Sequence, residues 1–156
     1  MFIRQVRESD VYDIFEIERL CFKDPYSFHF LSELIKNYSN FSFVAEENNR
    51  LIGFIISRIE WDGRGHILSI AVHPSYQGRG VGTRLLITAI NTLFSFVDEI
   101  FLEVRISNER AIRLYRNIGF EIKSSINNYY PDGESAFIMV LKKSDYPYKY
   151  LLDELY

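Results

Sequence analysis

Apolar residues recur along this chain at two spacings that take turns. Val11, Ile14, Ile17 and Leu20 or Cys21 stand three and four apart with acids between them, which predicts a helix that Ser9 or Asp10 can cap. Lys23-Asp24-Pro25 breaks it, and Ser27 can cap a second, shorter helix with Phe30, Leu31, Leu34 and Ile35 on its apolar face. Other stretches alternate or run apolar for strand lengths: 2–6, 41–45 (Phe41, Phe43 and Ala45), 51–59, 66–72 and 99–104. Residues 46–50 and 61–65 read as turns between them. After residue 80, Leu85, Leu86, Ala89, Ile90 and Leu93 mark one face of a third helix. A fourth is predicted over about 108–118, capped by Ser107, with Ala111, Leu114, Tyr115 and Ile118 inward and Gly119 just past its end. Residues 120–126 and 135–141 read as a closing antiparallel pair around 127–134.

The order is therefore strand, two helices, three strands, helix, strand, helix, two strands. Hairpins and crossovers alternate, so the pattern predicts a mixed α/β domain around one central sheet. A length of 156 residues suits one domain. The expected boundaries are a domain over 1–143 and a tail over 144–156. That tail carries four Tyr and three Leu, as in a docked helix or a partner surface.

One stretch promises chemistry. The apolar strand ending Ser69-Ile70-Ala71-Val72 meets His73-Pro74-Ser75, then Gln77, Gly78, Gly80 and Gly82, and then the third helix. Glycines there let the backbone approach a ligand and take up positive φ. The helix start offers unpaired N–H groups and the positive end of its dipole, a site for phosphate or pyrophosphate. The spacing fits neither G-x-x-x-x-G-K-[ST] nor G-x-G-x-x-G; it is Q-x-x-G-x-G.

Composition narrows the partners. Eighteen basic against 21 acidic side chains give a net charge of -3, which argues against a nucleic-acid binder. The lone Cys21 precludes an internal disulfide framework and fits a reducing, cytoplasmic setting. Three His and one Cys show no ligand spacing, so no structural metal is expected. Neither a signal peptide nor a membrane span is read from the chain.

The glycine stretch, with Ser-Ile-Ala-Val-His-Pro before it and Thr-Arg-Leu-Leu after it, resembles the acyl-CoA loop of the GCN5-related N-acetyltransferases, the GNAT superfamily. Leu102-Glu103-Val104-Arg105-Ile106-Ser107-Asn108, continuing through Ala111, Leu114, Tyr115, Gly119 and Phe120, is similar to the RimI- and Ard1-type branch, which acetylates protein N-termini. Tyr129-Tyr130-Pro131-Asp132-Gly133-Glu134-Ser135-Ala136 resembles a further segment of that branch. Asp24 stands near a position where Ard1-like members often carry Glu, so their substrate rules do not transfer.

The resemblance implies a single GNAT-like domain with a mixed, largely antiparallel sheet flanked by helices, and acetyl-CoA as the donor. It places the pyrophosphate on Gln77, Gly78, Arg79, Gly80, Val81, Gly82 and Thr83, and the Asn108 amide on the pantetheine arm. The backbone of Ile70, Ala71 and Val72 is expected to pair with the pantetheine amides like an added strand, with the Val72 N–H as oxyanion donor.

An amine attacking a thioester must lose a proton, and the departing thiolate needs a donor. Glu103 is the candidate base, its alternative being a surface Glu paired with Arg105 or another cation. Tyr115 is the candidate acid, its alternative being a core Tyr. His73, in a turn before Pro74, reads as a solvated loop His. Asp24, Tyr26, Tyr129 and Tyr130 are expected to flank the peptide.

The reading is an acetyl-CoA-dependent N-acetyltransferase of protein or peptide α-amino groups, transferring directly in a ternary complex. Nucleic acid and membrane are not expected as partners, and oligomeric state is open. Two alternatives remain: a GNAT acting on a lysine side chain or small amine, and a non-catalytic acyl-CoA-binding module.

Overall fold

The computed structural model describes residues 1–152. Among the described residues, seven strands and four helices follow the order predicted from the pattern, and a fifth helix lies in the predicted tail. They are β1 (Phe2–Gln5), α1 (Val11–Cys21), α2 (Phe28–Tyr38), β2 (Phe43–Glu47), β3 (Arg50–Ile59), β4 (Gly65–Val72), α3 (Val81–Leu93), β5 (Glu99–Arg105), α4 (Glu109–Ile118), β6 (Glu121–Ile126), β7 (Ala136–Lys142) and α5 (Tyr148–Leu152). The strands form one mixed sheet in the order β1-β2-β3-β4-β5-β7-β6, an α/β fold. Among the described residues no helix is long and apolar enough to cross a membrane. Of the predicted tail, residues 153–156 lie outside the described residues.

The chain divides into two compact units, Met1–Arg58 with Ile67–Thr92, and Ile59–His66 with Leu93–Tyr156. In the first, β1, β2 and β3 pair antiparallel. Val11, Ile14 and Ile17 of α1 and Leu31, Leu34 and Ile35 of α2 pack with Val44, Phe54 and Ile56 in one buried cluster. Ser27 caps α2 as expected, its hydroxyl accepting from the Phe30 N–H at 3.1 Å. Asp10 does not cap α1 directly: it accepts from the Arg7 N–H at 2.7 Å and takes both Arg4 guanidinium nitrogens at 2.8 Å, closing the 3-10 turn ahead of the helix. The five predicted face residues of α3 are all fully buried. In β2 the more buried positions are Ser42 before it and Val44 and Ala45 within it, while Phe43 is half-buried and Phe41 lies in a 3-10 turn.

In the second unit β7 lies between β5 and β6, antiparallel to both. At Gly65↔Ile100 and His66↔Phe101, β4 runs parallel to β5. Two local expectations change. Asn108, not Ser107, caps α4, its side-chain oxygen accepting from the Ala111 N–H at 3.2 Å. The buried face of α4 is Ile112, Tyr115 and Ile118, so Ile112 takes the place expected for Ala111. Ahead of α5, Tyr146 is buried edge-on against Phe94 at 5.3 Å.

Candidate active site

In the first unit β4 ends at Val72, a single 3-10 turn spans Pro74–Tyr76, and α3 begins at Val81. His73 starts that turn, its Nδ1 accepting from the Ser75 N–H at 3.1 Å, a structural job that fits a loop histidine. Gly78 and Gly80 have φ of +80° and +81°, where L side chains are strained. A Cβ at either would meet no protein atom within 4 Å, so packing does not demand glycine there. The backbone conformation does, and the exposed space above it is the cradle a bound anion would fill. Gly82 lies inside the helix without positive φ. The Gln77 side-chain amide donates to the Val72 carbonyl at 2.9 Å, and the Cys21 thiol donates to the same oxygen at 3.3 Å. Arg79 lies over the Tyr76 ring at 5.2 Å and within 3.9 Å of Glu47. Ile70 and Val72 are half-buried and Ala71 is buried; Val81 is buried where α3 starts, and Gly82 and Thr83 are half-buried.

The same unit carries the segment between α1 and α2. Asp24 is exposed, whereas Tyr26 is half-buried on Phe30, ring centroids 4.9 Å apart. The Tyr26 hydroxyl donates to the Leu68 carbonyl at 3.5 Å. Its N–H donates to Glu18, whose second oxygen accepts from Ser69 at 2.8 Å. Burial raises the Glu18 pKa despite these two bonds.

The second unit assembles the ionisable groups. Along β5, Ile100, Leu102 and Val104 face the core, which leaves Phe101, Glu103 and Arg105 on the opposite, half-buried face. The register sets His66 beside Phe101, and the two rings stack at 4.1 Å and 16°. Glu103 is two residues on and so on the same face. Its Oε2 meets His66 Nε2 at 2.7 Å, while Glu60 Oε1 meets His66 Nδ1 at 2.9 Å. His66 is thus a hydrogen-bond partner of Glu103. Burial works against a charged imidazole, but Glu103 and then Glu60 outweigh it and hold the His66 pKa above its ordinary value.

Arg105 turns to the loop between β6 and β7. It reaches Asp132 at 3.0 Å and Glu134 at 2.8 Å, and its guanidinium covers the Tyr130 ring at 4.0 Å. Glu134 also accepts from the Ser107 N–H at 3.0 Å. Tyr130 stacks on Tyr129 at 5.0 Å; burial and the Glu103 charge raise the Tyr129 pKa. Tyr115 is buried against Phe120 at 5.8 Å, and burial, then Tyr130, push its phenol well above the ordinary range, so it stays protonated.

Of the predicted residues, the second unit brings Glu103, Tyr129 and Tyr130 together, and the first holds the glycine loop and Tyr26. His66 and Glu60 escaped the sequence reading. The signal for His66 was a lone polar ring at a half-buried position of a strand whose only other polar side chain is Ser69.

The geometry thus comprises a positive-φ glycine loop opening a helix in the first unit, and a strand-borne carboxylate hydrogen-bonded to a histidine in the second. The family model of the acetyltransferase (GNAT) family matches residues 11–120. An N-alpha-acetyltransferase of Sulfurisphaera tokodaii is 37% identical over 150 residues, covering 88% of this chain and 90% of that one. The crystal structure of Ard1 from Thermoplasma volcanium superposes with a TM-score of 0.86 at 25% identity, over 90% of this chain and 96% of that one. Naa50 of Arabidopsis thaliana, in complex with the bisubstrate analogue CoA-Ac-MVNAL, gives 0.79 at 26% identity, over 90% and 97%. The chain belongs to the acetyltransferase (GNAT) family. It is an N-acetyltransferase with acetyl-CoA as its donor, which removes the binding-module alternative.

Proposed function

We propose that this enzyme acetylates the α-amino group of protein N-termini, by direct transfer from acetyl-CoA in a ternary complex. The observation that carries this reading is the 37% identity, across most of both chains, with a relative named N-alpha-acetyltransferase. The peptide portion of the analogue bound by the Arabidopsis neighbour supports it.

In this reading the main chain of Gln77 to Thr83 holds the pyrophosphate, and the cradle at Gly78 and Gly80 fits that role. Arg79 adds positive charge at the rim. The backbone of Ile70, Ala71 and Val72 pairs with the pantetheine amides, the Val72 N–H faces the carbonyl oxygen, and Asn108 keeps its NH2 for the arm while its oxygen caps α4. Asp24, Tyr26, Tyr129 and Tyr130 border the peptide.

Acetyl-CoA supplies the acyl group as a thioester, so a C–N bond forms as the C–S bond breaks. Glu103 receives the amine proton, directly or through a water. Tyr115 donates its phenolic hydrogen to the departing sulfur. The burial that keeps this phenol protonated also raises the proton affinity of a neighbouring thiolate, so the two stay matched. No covalent enzyme intermediate is required. The free thiol of Cys21 supports a reducing, cytoplasmic setting.

The test uses paired peptides of one sequence and mass spectrometry. One has a free α-amine and no Lys; the other has a blocked N-terminus and one internal Lys. Acetylation of the first alone is expected. Acetylation of the second alone overturns the N-terminal reading in favour of a lysine substrate.

A further inference from the structure

Glu60 is assigned no role by the motifs, yet it joins His66 and Glu103 in one ionisable cluster of the second unit. It ends β3's hairpin, where its N–H donates to the Arg64 carbonyl at 2.8 Å and its own carbonyl accepts from Gly63 at 2.9 Å. Its side chain points to His66 Nδ1 at 2.9 Å, while Glu103 holds Nε2 at 2.7 Å. A carboxylate only accepts, and a neutral imidazole donates from one nitrogen only. Two short contacts to two carboxylates therefore call for two ring N–H groups, or a proton shared along the line. The charged groups acting on the ring are Glu60 of the hairpin and Glu103 of β5, and the Phe101 ring stacked on it is capped by Arg64. Arg64 is itself engaged with Asp62 at 3.0 Å and Glu99 at 3.6 Å, and it covers the Phe101 ring on which His66 stacks.

We propose that Glu60 is a positioning residue for amine deprotonation: it accepts from Nδ1 and keeps His66 doubly protonated, so that Nε2 grips one oxygen of Glu103 and leaves the other for the amine. This rests on the reading of Glu103 as proton acceptor. In the step itself an N–H bond of the amine breaks, its electron pair stays on nitrogen, and the proton goes to Glu103 Oε1. His66 keeps both of its protons. Without Glu60's charge the imidazole loses its Nδ1 proton at lower pH, and the Nε2–H left facing Glu103 is then a neutral donor with a weaker grip than the charged one.

Glu60→Gln tests this, since the amide can still accept from Nδ1 but carries no charge. Two quantities are read: the His66 titration by NMR, assigned against His66→Gln, and the pH profile of kcat/KM at saturating acetyl-CoA. The expected result is a His66 pKa lower by roughly one unit, with the descending alkaline limb of the profile moving down by the same amount and the KM for acetyl-CoA unmoved. Glu60→Asp, which keeps the charge, should recover most of both shifts; it also serves if the Gln variant does not fold. A folded Glu60→Gln whose His66 titration is unmoved overturns the proposal. So does a titration that moves while the profile stays put. Glu103→Gln separates the two readings: if it leaves rate and profile intact, Glu103 is not the acceptor, whatever Glu60 does to the His66 titration.

Discussion

The glycine loop and the Glu60–His66–Glu103 cluster are built by opposite means. The loop is contiguous, a strand end, a turn and a helix start, and it offers main-chain N–H groups. The cluster takes side chains from a hairpin and two strands, with His66 and Glu103 37 positions apart in sequence. A backbone site depends on φ at two glycines and little on side-chain identity. A side-chain site depends on register, because slipping one strand by a residue sends the ring to the other face. The first should break at one point and all at once; the second should respond by degrees.

The largest effect is expected at Gly80. Gly80→Val forces a β-branched residue to φ +81° and puts its side chain where the anion would sit. Strain of about 1–3 kcal/mol, with each 1.4 kcal/mol worth tenfold, weakens CoA binding by roughly 5- to 150-fold, and a side chain in the anion's place takes the loss to abolished binding. Calorimetric titration with CoA reads it, and retained affinity would place the anion site elsewhere.

Next is Glu103→Gln. Loss of a general base lowers kcat/KM by about 10²–10⁴. The rise of rate with pH should flatten while CoA affinity holds. Unchanged steady-state rates would leave deprotonation to water.

The smallest effect is on stability. His66 has a folded pKa above its unfolded value of about 6.5. Its contribution is therefore complete below about pH 6.5 and fades as pH rises through the folded pKa. Chemical unfolding of wild type against His66→Gln should show an advantage at pH 6 that shrinks toward pH 9, of order 1 kcal/mol after solvent screening. A constant difference would mean that the ring contributes by packing on Phe101 alone.

Element order, the five buried residues of α3 and the loop were readable because each is a local pattern of spacing and of Gly. The cap of α4 was misread by one position because Ser107 and Asn108 both have capping side chains. Only the backbone decides that Asn108 reaches the Ala111 N–H. Glu103 was singled out, but with Arg105 as its suggested partner. In the sheet, Arg105 is drawn away by Asp132 and Glu134, and His66 arrives through a parallel register that periodicity does not encode. Glu60 carried no signal, since an acid at a hairpin end is an ordinary surface residue until the ring beside it is known.

The proposed grip of main-chain N–H groups on the diphosphate has a metabolic consequence. A diphosphate looks the same whether or not an acetyl group hangs from the distant sulfur. A cradle that reads the diphosphate alone binds the charged carrier and the spent one with similar strength, and such uniform binding gives no preference for the donor. The spent carrier then competes for the same seat after every turnover. The enzyme's rate would follow the proportion of carrier that is acetylated more closely than its total amount, tying the marking of protein N-termini to the acetyl supply of the cell.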